Sequence, residues 1–256
     1  MYPLLCRIIQ SKQSDVYENL ALEECLLHSI KQDEVMLYLW QNQNAIVIGR
    51  NQNVYNECLI DSFLENHGQI ARRLSGGGAV YHDLGNLNFT MILPRNLFDI
   101  QKQLKIIIVA CNHFGITPVI NERFDLLADG KKFSGNAFYH RKDASLHHGT
   151  VLINSDIDKI DYYLQTRYLP GKNRAVHSTR SPVLNLSILN QQLTVPLIQE
   201  ALIQSFLKLY EGYFINDDPA NYDSDLFKTR YLSKEWTYGK QENREERYTD
   251  ENEHFE

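Results

Sequence analysis

The sequence is poor in cysteine. Its 256 residues contain four, Cys6, Cys25, Cys58 and Cys111, and no two of them form a CxxC pair. The CxxC spacing of zinc sites and redox motifs is therefore missing, and each thiol lies among apolar residues. We expect four free, buried thiols in a protein of the reducing cytosol.

Long apolar runs and an excess of positive charge are also missing. No apolar stretch reaches the ~18 residues that a membrane span needs, and no N-terminal segment resembles a secretion signal. The net charge is −6, and the last sixteen residues, with seven acidic and two basic side chains, carry −5 of it. The nearly neutral body argues against nucleic acid as the main partner, because that partner requires a basic face. We expect a cytoplasmic protein that binds small molecules or proteins and no membrane.

Hydrophobic periodicity predicts a mixture of helices and strands. Helices are predicted over residues 16–31, where Asp15 and Glu18 form a start signal, and within 54–66, 97–115 and 194–212. The apolar runs VMLYLW and AIVIG, separated by a polar QNQN turn, predict one hairpin. An Asp-Gly turn predicts another, between DLLA and KKFSGNAFYH. The region after residue 157 is expected to be mostly helical, and the fold class is α+β, with mixed or antiparallel sheets flanked by helices.

A glycine-rich stretch, RRLSGGGAV, lies between two predicted strands. Three consecutive glycines either leave a turn loose or let backbone N–H groups close on an anion. No Lys follows them as in a P-loop, and Tyr81 stands where a dinucleotide loop needs its third glycine. The adjacent Arg72 and Arg73 favour a phosphate or carboxylate ligand, and a flexible connection is the alternative.

A second polar stretch follows the Asp-Gly turn. The period of two places Lys132, Ser134 and Asn136 on one face of a strand, where Lys132 would supply a positive charge for a phosphate or carboxylate. The alternative is a solvated strand face. His147 and His148 follow in LHHGTVLIN, but neighbours on a strand point to opposite faces, so we expect no shared metal ion there.

Together, RRLSGGGAVYHDLGNLNFT and DGKKFSGNAFYHRKDASLHHGTVLIN closely resemble the two signature segments of lipoate-protein ligases. The flanking motifs agree in order and spacing: NLALEECLL, the LW of the first predicted hairpin, IGRNQNVYNE, TRSPVLNL and EWTYGK. The resemblance covers residues 14–240. It implies a catalytic domain over residues 1–240, with a mixed sheet flanked by helices that is shared with biotin ligases and octanoyl transferases.

The resemblance also implies a reaction in two steps. ATP and the lipoate carboxylate first give lipoyl-AMP and pyrophosphate. The lipoyl group then passes to one lysine of an acceptor protein, an E2 lipoyl domain or a glycine-cleavage H-type protein. By motif position Lys132 matches the essential lysine, which would hold the carboxylate and the α-phosphate while the mixed anhydride forms. Mg²⁺ is expected with the ATP, held through phosphate oxygens with Asp125 as a candidate ligand.

The other site residues are carried over from the same motifs. The residues expected to bind the substrates and lipoyl-AMP are Arg73, Ser75, Gly76, Gly77, Gly78, Ala79, Tyr81, Asn86, Asp125, Ser134, Gly135, Ala137, His147, Gly149 and Thr150. Arg73 and the glycine loop would wrap the phosphate and the acyl chain. The nucleotide side would be lined by Tyr81, Asn86, Asp125, His147 and Thr150. An apolar tunnel for the lipoyl tail would draw on Val80, Phe133 and Ala137.

Three departures from the family pattern stand out. Phe124 replaces the usual Asn between Arg123 and Asp125, and Pro182 stands where an Arg is common, so we expect a nucleotide or acceptor contact to be missing or replaced. The large ligases continue into an accessory domain after the EW-x-x-G segment. Here residues 241–256 are expected to be an acidic tail or the start of that domain, which a separate partner would then supply.

Two other functions stay open at this point. A transferase that moves octanoyl or lipoyl groups between carrier proteins through a Cys thioester needs a thiol in the site. No cysteine lies in a glycine-rich or polar motif. A non-catalytic module that docks lipoyl carriers would bind the carrier and give no ATP-dependent product.

Overall fold

The structure, a computed structural model, describes residues 4–165 and 176–239. Its strands are Leu5–Gln10 (β1), Glu34–Trp40 (β2), Ala45–Ile48 (β3), Gln69–Arg72 (β4), Val80–His82 (β5), Asn86–Pro94 (β6), Val119–Ile120 (β7), Leu126–Ala128 (β8), Lys131–Ser134 (β9), Asn136–His140 (β10), Ala144–Leu152 (β11) and Tyr213–Asp217 (β12). Its α-helices are Val16–Ser29 (α1), Ile60–Glu65 (α2), Ile100–Asn112 (α3), Ile157–Tyr163 (α4), Val195–Tyr210 (α5), Asp225–Leu232 (α6) and Lys234–Tyr238 (α7). The predicted mixture of sheets and helices is confirmed.

Six strands form the main sheet, in the order β10-β11-β6-β2-β1-β12. β1 runs parallel to both β2 and β12, and the other neighbours are antiparallel. Side chains alternate between the two faces of the sheet. Leu37 and Leu39 pack in the core formed with α3 and α5, whereas Tyr38 and Trp40 pack in the core formed with α1. Burial of both faces explains why β2 is apolar throughout.

The helices begin at the capping residues that the sequence indicates. The Asp15 carboxylate accepts hydrogen bonds of 2.8 and 3.0 Å from the backbone N–H groups of Tyr17 and Glu18, and α1 begins at Val16. The predicted first helix is therefore confirmed, as are the helices at α3 and α5. The prediction over residues 54–66 resolves into a 3-10 turn at Val54–Asn56 followed by α2.

The first predicted hairpin is wrong. Both runs are strands, but β2 lies in the main sheet and β3 is the centre of a three-stranded sheet, β4-β3-β5. β3 pairs in parallel with β4 and antiparallel with β5. Because β3 is apolar on both faces, its local pattern could not say which strands it joins. The glycine-rich loop connects β4 to β5 and so passes the end of β3.

The hairpin at Asp129 and Gly130 is confirmed, with φ of 48° and 69° at these residues, as a type I′ turn requires. KKFSGNAFYH is not one strand, however. β9 ends at Ser134 in the sheet β7-β8-β9, and β10 begins at Asn136 in the main sheet. The chain changes sheets at Gly135, whose carbonyl oxygen would lie 2.6 Å from a Cβ on Gly149. This close approach of two glycine backbones brings the two sheets together.

The region after residue 157, predicted to be mostly helical, also contains β12, which extends the main sheet. The predicted boundary at residue 240 and the acidic stretch 241–256 lie outside the described residues. Among the described residues, none of the helices has the length and apolar character that crossing a membrane requires.

Candidate active site

The glycine-rich loop is organised by Arg73, whose side chain is buried. The Arg73 guanidinium donates hydrogen bonds to the carbonyl oxygens of Gly76 and Gly78, at 2.7 and 2.8 Å. It also donates to the Ser75 hydroxyl at 3.0 Å. Burial lowers the pKa of Arg73 to about 10, an effect that the Glu23 carboxylate opposes. Arg73 is therefore a cation at neutral pH, and the loop is an ordered turn around it.

The neighbouring Arg72 joins three parts of the chain. Its guanidinium donates, at 2.7–3.0 Å, to five main-chain carbonyl oxygens, those of Gly49, Arg50, Gln52, Trp236 and Thr237. The indole N–H of Trp236 donates in return to the Arg72 carbonyl oxygen at 2.8 Å. Arg72 thus fixes α7 to β4 and to the turn after β3, and it is not part of the cavity walls described below.

A buried chain of hydrogen bonds connects the glycine-rich loop to α1 and β11. Oγ of Ser75 lies 2.6 Å from Nε2 of His148, and Nδ1 of His148 lies 2.8 Å from Oε1 of Glu23. The same Glu23 oxygen accepts a hydrogen bond of 2.6 Å from the Thr90 hydroxyl. These contacts hold the start of the loop against the main sheet.

Lys132 lies on β9, and its amine is 3.9 Å from Oδ1 of Asp125. Oδ2 of Asp125 accepts a hydrogen bond of 3.1 Å from Nδ2 of Asn121. A Cβ on Gly135 would lie 3.9 Å from both the Lys132 amine and the Thr150 hydroxyl, and 3.8 Å from the Asp125 carboxylate. Gly135 therefore leaves open a space that is bounded by a cation, an anion and a hydroxyl.

Phe124, one of the departures from the family pattern, has φ of 63°, in the left-handed region. Asn adopts this region more readily than Phe, which gives a conformational reason for the usual Asn. The Phe124 carbonyl oxygen accepts a hydrogen bond of 2.8 Å from Nδ2 of Asn136. Its ring packs edge-on to Phe138, with ring centroids 6.0 Å apart. An aromatic ring therefore stands where the family pattern has an amide.

Two cavities of about 350 Å³ each meet at Lys132. Their common wall consists of Ala79, Val80, Lys132, Gly135, Thr150, Ser178, Thr179 and Ser181. The first cavity also reaches Leu20, Trp40, Val47, His82, Asn88 and His148. The second also reaches Tyr81, Leu152, Ile157, Ile160 and Leu164. Lys132 thus lies on a wall shared by a cavity along the main sheet and a cavity along α4.

The length of the first cavity can be read from the pairing of strands β2, β6 and β11 in the main sheet. Asn88 on β6 pairs with Trp40 on β2 and with Thr150 on β11, so the three side chains lie on the same face of the sheet. Neighbouring strands are about 4.8 Å apart, which places Trp40 roughly 10 Å from Thr150. The cavity therefore extends about that far from the neighbourhood of Lys132.

Most of the predicted site residues lie on these walls. The first cavity is lined by Arg73, Gly77, Gly78, Ala79, Asp125, Lys132, Gly135, Ala137, Gly149 and Thr150. The second is lined by Ala79, Tyr81, Lys132, Ser134, Gly135 and Thr150. Four of the predicted residues are on neither wall, namely Ser75, Gly76, Asn86 and His147. Of the three tunnel candidates, Val80 and Ala137 line the first cavity, whereas Phe133 packs in the core with α3 and reaches the second.

The two histidines on β11 point to opposite faces, as predicted for neighbours on a strand. Nδ1 of His147 lies 2.9 Å from Oε1 of Gln103 on α3, and its Nε2 lies 2.8 Å from Oδ1 of Asn136. His148 lines the first cavity. Its spacing of two residues from Thr150 was the sequence signal that could have identified it. Asn88 has a similar spacing of two residues from the predicted Asn86 on β6, whereas Trp40 carries no such signal, because its approach to the site depends on strand pairing.

The segment 176–184 lies across both cavities. The backbone N–H of Lys132 donates to the Pro182 carbonyl oxygen at 2.9 Å. The Ser178 hydroxyl oxygen accepts a hydrogen bond of 2.9 Å from the Ala79 N–H. The segment is thus fixed to both β9 and the glycine-rich loop. Pro182 takes part through its carbonyl group, so its missing N–H removes no hydrogen bond from this pairing.

None of the four cysteines lines either cavity. All four are free; Cys6, Cys58 and Cys111 are buried as expected. Burial raises the pKa of the Cys58 and Cys111 thiols to about 12. The expectation of a buried thiol is wrong for Cys25, which is half-buried and donates to the Asp223 carbonyl oxygen at 3.3 Å. The thiols are therefore poorly placed for nucleophilic chemistry at Lys132.

The described residues, 4–165 and 176–239, contain no group of three or more His, Cys, Asp or Glu side chains placed to hold a metal ion. At the Lys132 end of the first cavity the acidic side chain is Asp125. A single carboxylate fits Mg²⁺ only when the ion also takes phosphate oxygens and water as ligands.

Solved structures with this fold define its class. LipL1 of P. falciparum, crystallised in complex with lipoate, is 32% identical with a TM-score of 0.79, and the match covers 94% of this chain and 75% of that one. The bi-partite lipoate protein ligase of T. acidophilum, studied with its E2 lipoyl domain, has a TM-score of 0.79 at 24% identity, covering 95% of this chain and 99% of that one. The fold is that of lipoate ligase catalytic domains.

Sequence comparison then gives the family. Lipoate-protein ligase A of Psychrobacter cryohalolentis is 36% identical over 245 residues, which are 91% of this chain and 72% of that protein. Lipoate-protein ligase A of Blochmanniella floridana is 35% identical over 249 residues, 93% of this chain and 73% of that protein. The family model for the lipoyl protein ligase A/B catalytic domain matches residues 15–207. The chain belongs to this family of ligases, and the predicted family is confirmed.

Proposed function

We propose that this protein activates lipoate with ATP to lipoyl-AMP and then transfers the lipoyl group to a lysine of an acceptor protein. The observation that carries this proposal is the position of Lys132 on the wall shared by two cavities. A reaction that joins an acid to a nucleotide needs two compartments that meet at one point. The acyl tail occupies the first cavity, along the main sheet, and the nucleoside occupies the second, along α4.

Lys132 provides the charge that this reaction needs. The attacking carboxylate and the α-phosphate are both anionic, and negative charge builds up between them as the mixed anhydride forms. An amine fixed at the meeting point stabilises this charge more in the transition state than in the bound substrates. No general base is required, because an ionised carboxylate is already the nucleophile.

The glycine-rich loop holds the phosphate. In a trans peptide unit the N–H points opposite to the C=O. The carbonyl groups of Gly76 and Gly78 point at Arg73, so the N–H groups of Gly77 and Ala79 point away from it. These N–H groups, backed by the Arg73 cation, suit an anionic oxygen. The Ser178 hydroxyl oxygen accepts a hydrogen bond from the Ala79 N–H and so lies where a phosphate oxygen would bind.

Mg²⁺ accompanies ATP and neutralises charge on its phosphates when bound. Asp125, 3.9 Å from the Lys132 amine, is the residue that would hold it together with phosphate oxygens. Asn121 orients the Asp125 carboxylate through its hydrogen bond of 3.1 Å. The carboxylate also keeps the Lys132 amine aimed at the space beside Gly135.

The acceptor is a lipoyl-carrier protein, either an E2 lipoyl domain or a glycine-cleavage H-type protein. The T. acidophilum ligase that shares this fold was studied with its E2 lipoyl domain, which favours the first kind. The chain spans 72% of the Psychrobacter relative, so adenylation and transfer are best assayed separately.

The decisive experiment incubates the protein with ATP, Mg²⁺ and lipoate, with and without each candidate carrier. Chromatography measures lipoyl-AMP and pyrophosphate, and mass spectrometry measures the carrier. We expect lipoyl-AMP without carrier, and a gain of one lipoyl group on one lysine of one carrier. No adenylate under any condition would refute the proposal and leave a carrier-docking module.

The Cys-thioester transferase makes a different prediction. None of the four cysteines lines a cavity, so a variant in which all four are replaced by Ala or Val is expected to keep its adenylation rate. Loss of activity in a folded cysteine-free variant, together with transfer from an octanoylated carrier by the original protein, would favour the transferase instead.

A further inference from the structure

His147 is buried and lines neither cavity, yet it begins a chain of hydrogen bonds that leads to the site. Its Nε2 is 2.8 Å from Oδ1 of Asn136, and Nδ2 of Asn136 donates to the Phe124 carbonyl oxygen at 2.8 Å. A carbonyl oxygen can only accept, so the Asn136 amide must present its nitrogen to Phe124 and its oxygen to His147. Nε2 of His147 therefore carries a proton and donates it to Asn136.

The bond to the Phe124 carbonyl holds a turn that is strained. Phe124 has φ of 63°, a left-handed conformation that a bulky residue adopts rarely and that persists where its surroundings fix it. The next residue, Asp125, belongs to the same turn, where its N–H donates to Oδ1 of Asn121 at 2.9 Å. The Asp125 carboxylate is 3.9 Å from the Lys132 amine. The hydrogen bond from Asn136 therefore supports the turn that places Asp125 beside Lys132.

The same chain of hydrogen bonds crosses from one sheet to another. His147 and Asn136 are on β11 and β10 of the main sheet, whereas Asp125 immediately precedes β8 of the sheet β7-β8-β9. The Gln103 side chain on α3 is 2.9 Å from Nδ1 of His147, so the ring is held at both of its nitrogen atoms. His147 thus connects the sheet that carries the first cavity to the turn that carries Asp125.

We propose that His147 is a positioning residue that acts through Asn136 on Asp125. With the Phe124 carbonyl held in place, the Asp125 carboxylate stays where it can bind Mg²⁺ together with the phosphates of ATP. The inference rests on the proposed function and adds a residue, outside both cavities, on which the phosphate end of the site depends. Loss of His147 weakens the contribution of Mg²⁺ to ATP binding and leaves the binding of lipoate nearly unchanged.

The test measures ATP binding by calorimetry, once with Mg²⁺ and once with EDTA, and without lipoate so that no reaction occurs. The ratio of the two Kd values is the contribution of Mg²⁺ to ATP binding. In His147→Leu, which removes the donor and stays apolar, this ratio is expected to fall about three- to tenfold, the effect of one hydrogen bond. His147→Gln, whose amide can still donate to Asn136, is expected to retain most of it. The Kd of lipoate alone is expected to stay nearly the same in His147→Leu.

Asn136→Ala breaks the same chain at a half-buried position, so it decides the question even if His147→Leu does not fold. It is expected to lower the Mg²⁺ contribution as much as His147→Leu does. The double variant is expected to lower it no further, because both changes interrupt one chain. His140→Leu is the matched control, since it removes a histidine from the exposed end of β10, and it should keep the ratio.

An undiminished Mg²⁺ contribution in a folded His147→Leu or Asn136→Ala protein would overturn the inference. An equal weakening of lipoate binding in His147→Leu would also overturn it, because it would indicate a general loosening of the fold. If the unaltered protein binds ATP no better with Mg²⁺ than with EDTA, the role of Asp125 fails and this inference with it. If the unaltered protein shows the Mg²⁺ contribution and the variants lose it, but no lipoyl-AMP forms, the proposed function fails while the positioning role stands.

Discussion

The amine of Lys132 lies 3.9 Å from Oδ1 of Asp125, and Lys132 is on the wall that the two cavities share. Asp125 is nine-tenths buried, and the Lys132 side chain is one-quarter exposed. The pair is therefore reachable by a ligand from the Lys132 side. A separation of 3.9 Å is too long for a direct hydrogen bond, so the N–H groups of the Lys132 amine can donate to an incoming anion.

Lys132→Ala tests this arrangement. Loss of a charge placed at the reacting groups is expected to lower the rate of lipoyl-AMP formation by about 10²- to 10³-fold. The side chain is not part of the core, so thermal unfolding should change little. Lys142→Ala, at an exposed turn, is the control and should keep its rate. Adenylate formed at an undiminished rate by Lys132→Ala would contradict the assigned role.

The path of the glycine-rich loop beside β3 predicts different effects for two Gly→Ala changes. A Cβ on Gly49 would lie 2.1 Å from the Gly77 carbonyl oxygen, so Gly49→Ala must displace the loop. Overpacking of this kind costs about 1–3 kcal/mol in the free energy of unfolding. A Cβ on Gly76 meets nothing within 4 Å, and Gly76→Ala is expected to change stability by less than about 0.5 kcal/mol. Urea unfolding compares the two; equal losses would contradict the loop position.

Because two histidines are buried, the free energy of unfolding is expected to fall as the pH falls. Burial, followed by the His148 charge, lowers the pKa of His147 to about 3, and burial lowers that of His82 to about 3. The unfolded chain takes up these protons near pH 6.5, whereas the folded protein does not until near pH 3, so stability is lost as the pH falls between these values. Each histidine contributes a slope of about 1.4 kcal/mol per pH unit.

The measurement is urea unfolding at pH 7.5, 6 and 5. His147→Gln removes one of the two titrating groups, so the stability lost between pH 7.5 and 5 is expected to shrink by about 2 kcal/mol. The comparison uses the change with pH, which is independent of any constant cost of the substitution. The same pH dependence in both proteins would show that His147 is protonated alike in the folded and unfolded states.

Replacement of Arg72 is expected to lower the free energy of unfolding strongly, although Arg72 lines neither cavity. Arg72→Ala leaves five main-chain carbonyl groups, three of them in buried hydrogen bonds, without their donor and frees α7, at an expected cost of about 3 kcal/mol or more. Lys159→Ala, which breaks an ion pair with Asp156 between two half-exposed side chains, is expected to cost about 1 kcal/mol or less. Urea unfolding measures both, and a smaller loss in Arg72→Ala than in Lys159→Ala would contradict the assigned anchor.

Local chemistry in the sequence determined the individual elements and the family. The Asp15 carboxylate starts α1, and the Asp129-Gly130 turn makes the β8–β9 hairpin, because both depend on neighbours in the chain. The glycine-rich loop and Lys132 were found for the same reason, since each is a short continuous motif. Several predicted site residues, among them Arg73, Asp125 and Thr150, do line a cavity.

Only the tertiary structure decided which strands join. β3 and β10 are each recognisable as strands, but their sheets depend on pairing with distant segments, which an apolar run does not encode. The same pairing brings Trp40 and Asn88 into the site and places His148, and not His147, on the cavity wall. The sequence therefore determined which groups are present, whereas long-range packing decided which of them face one another across the cavity.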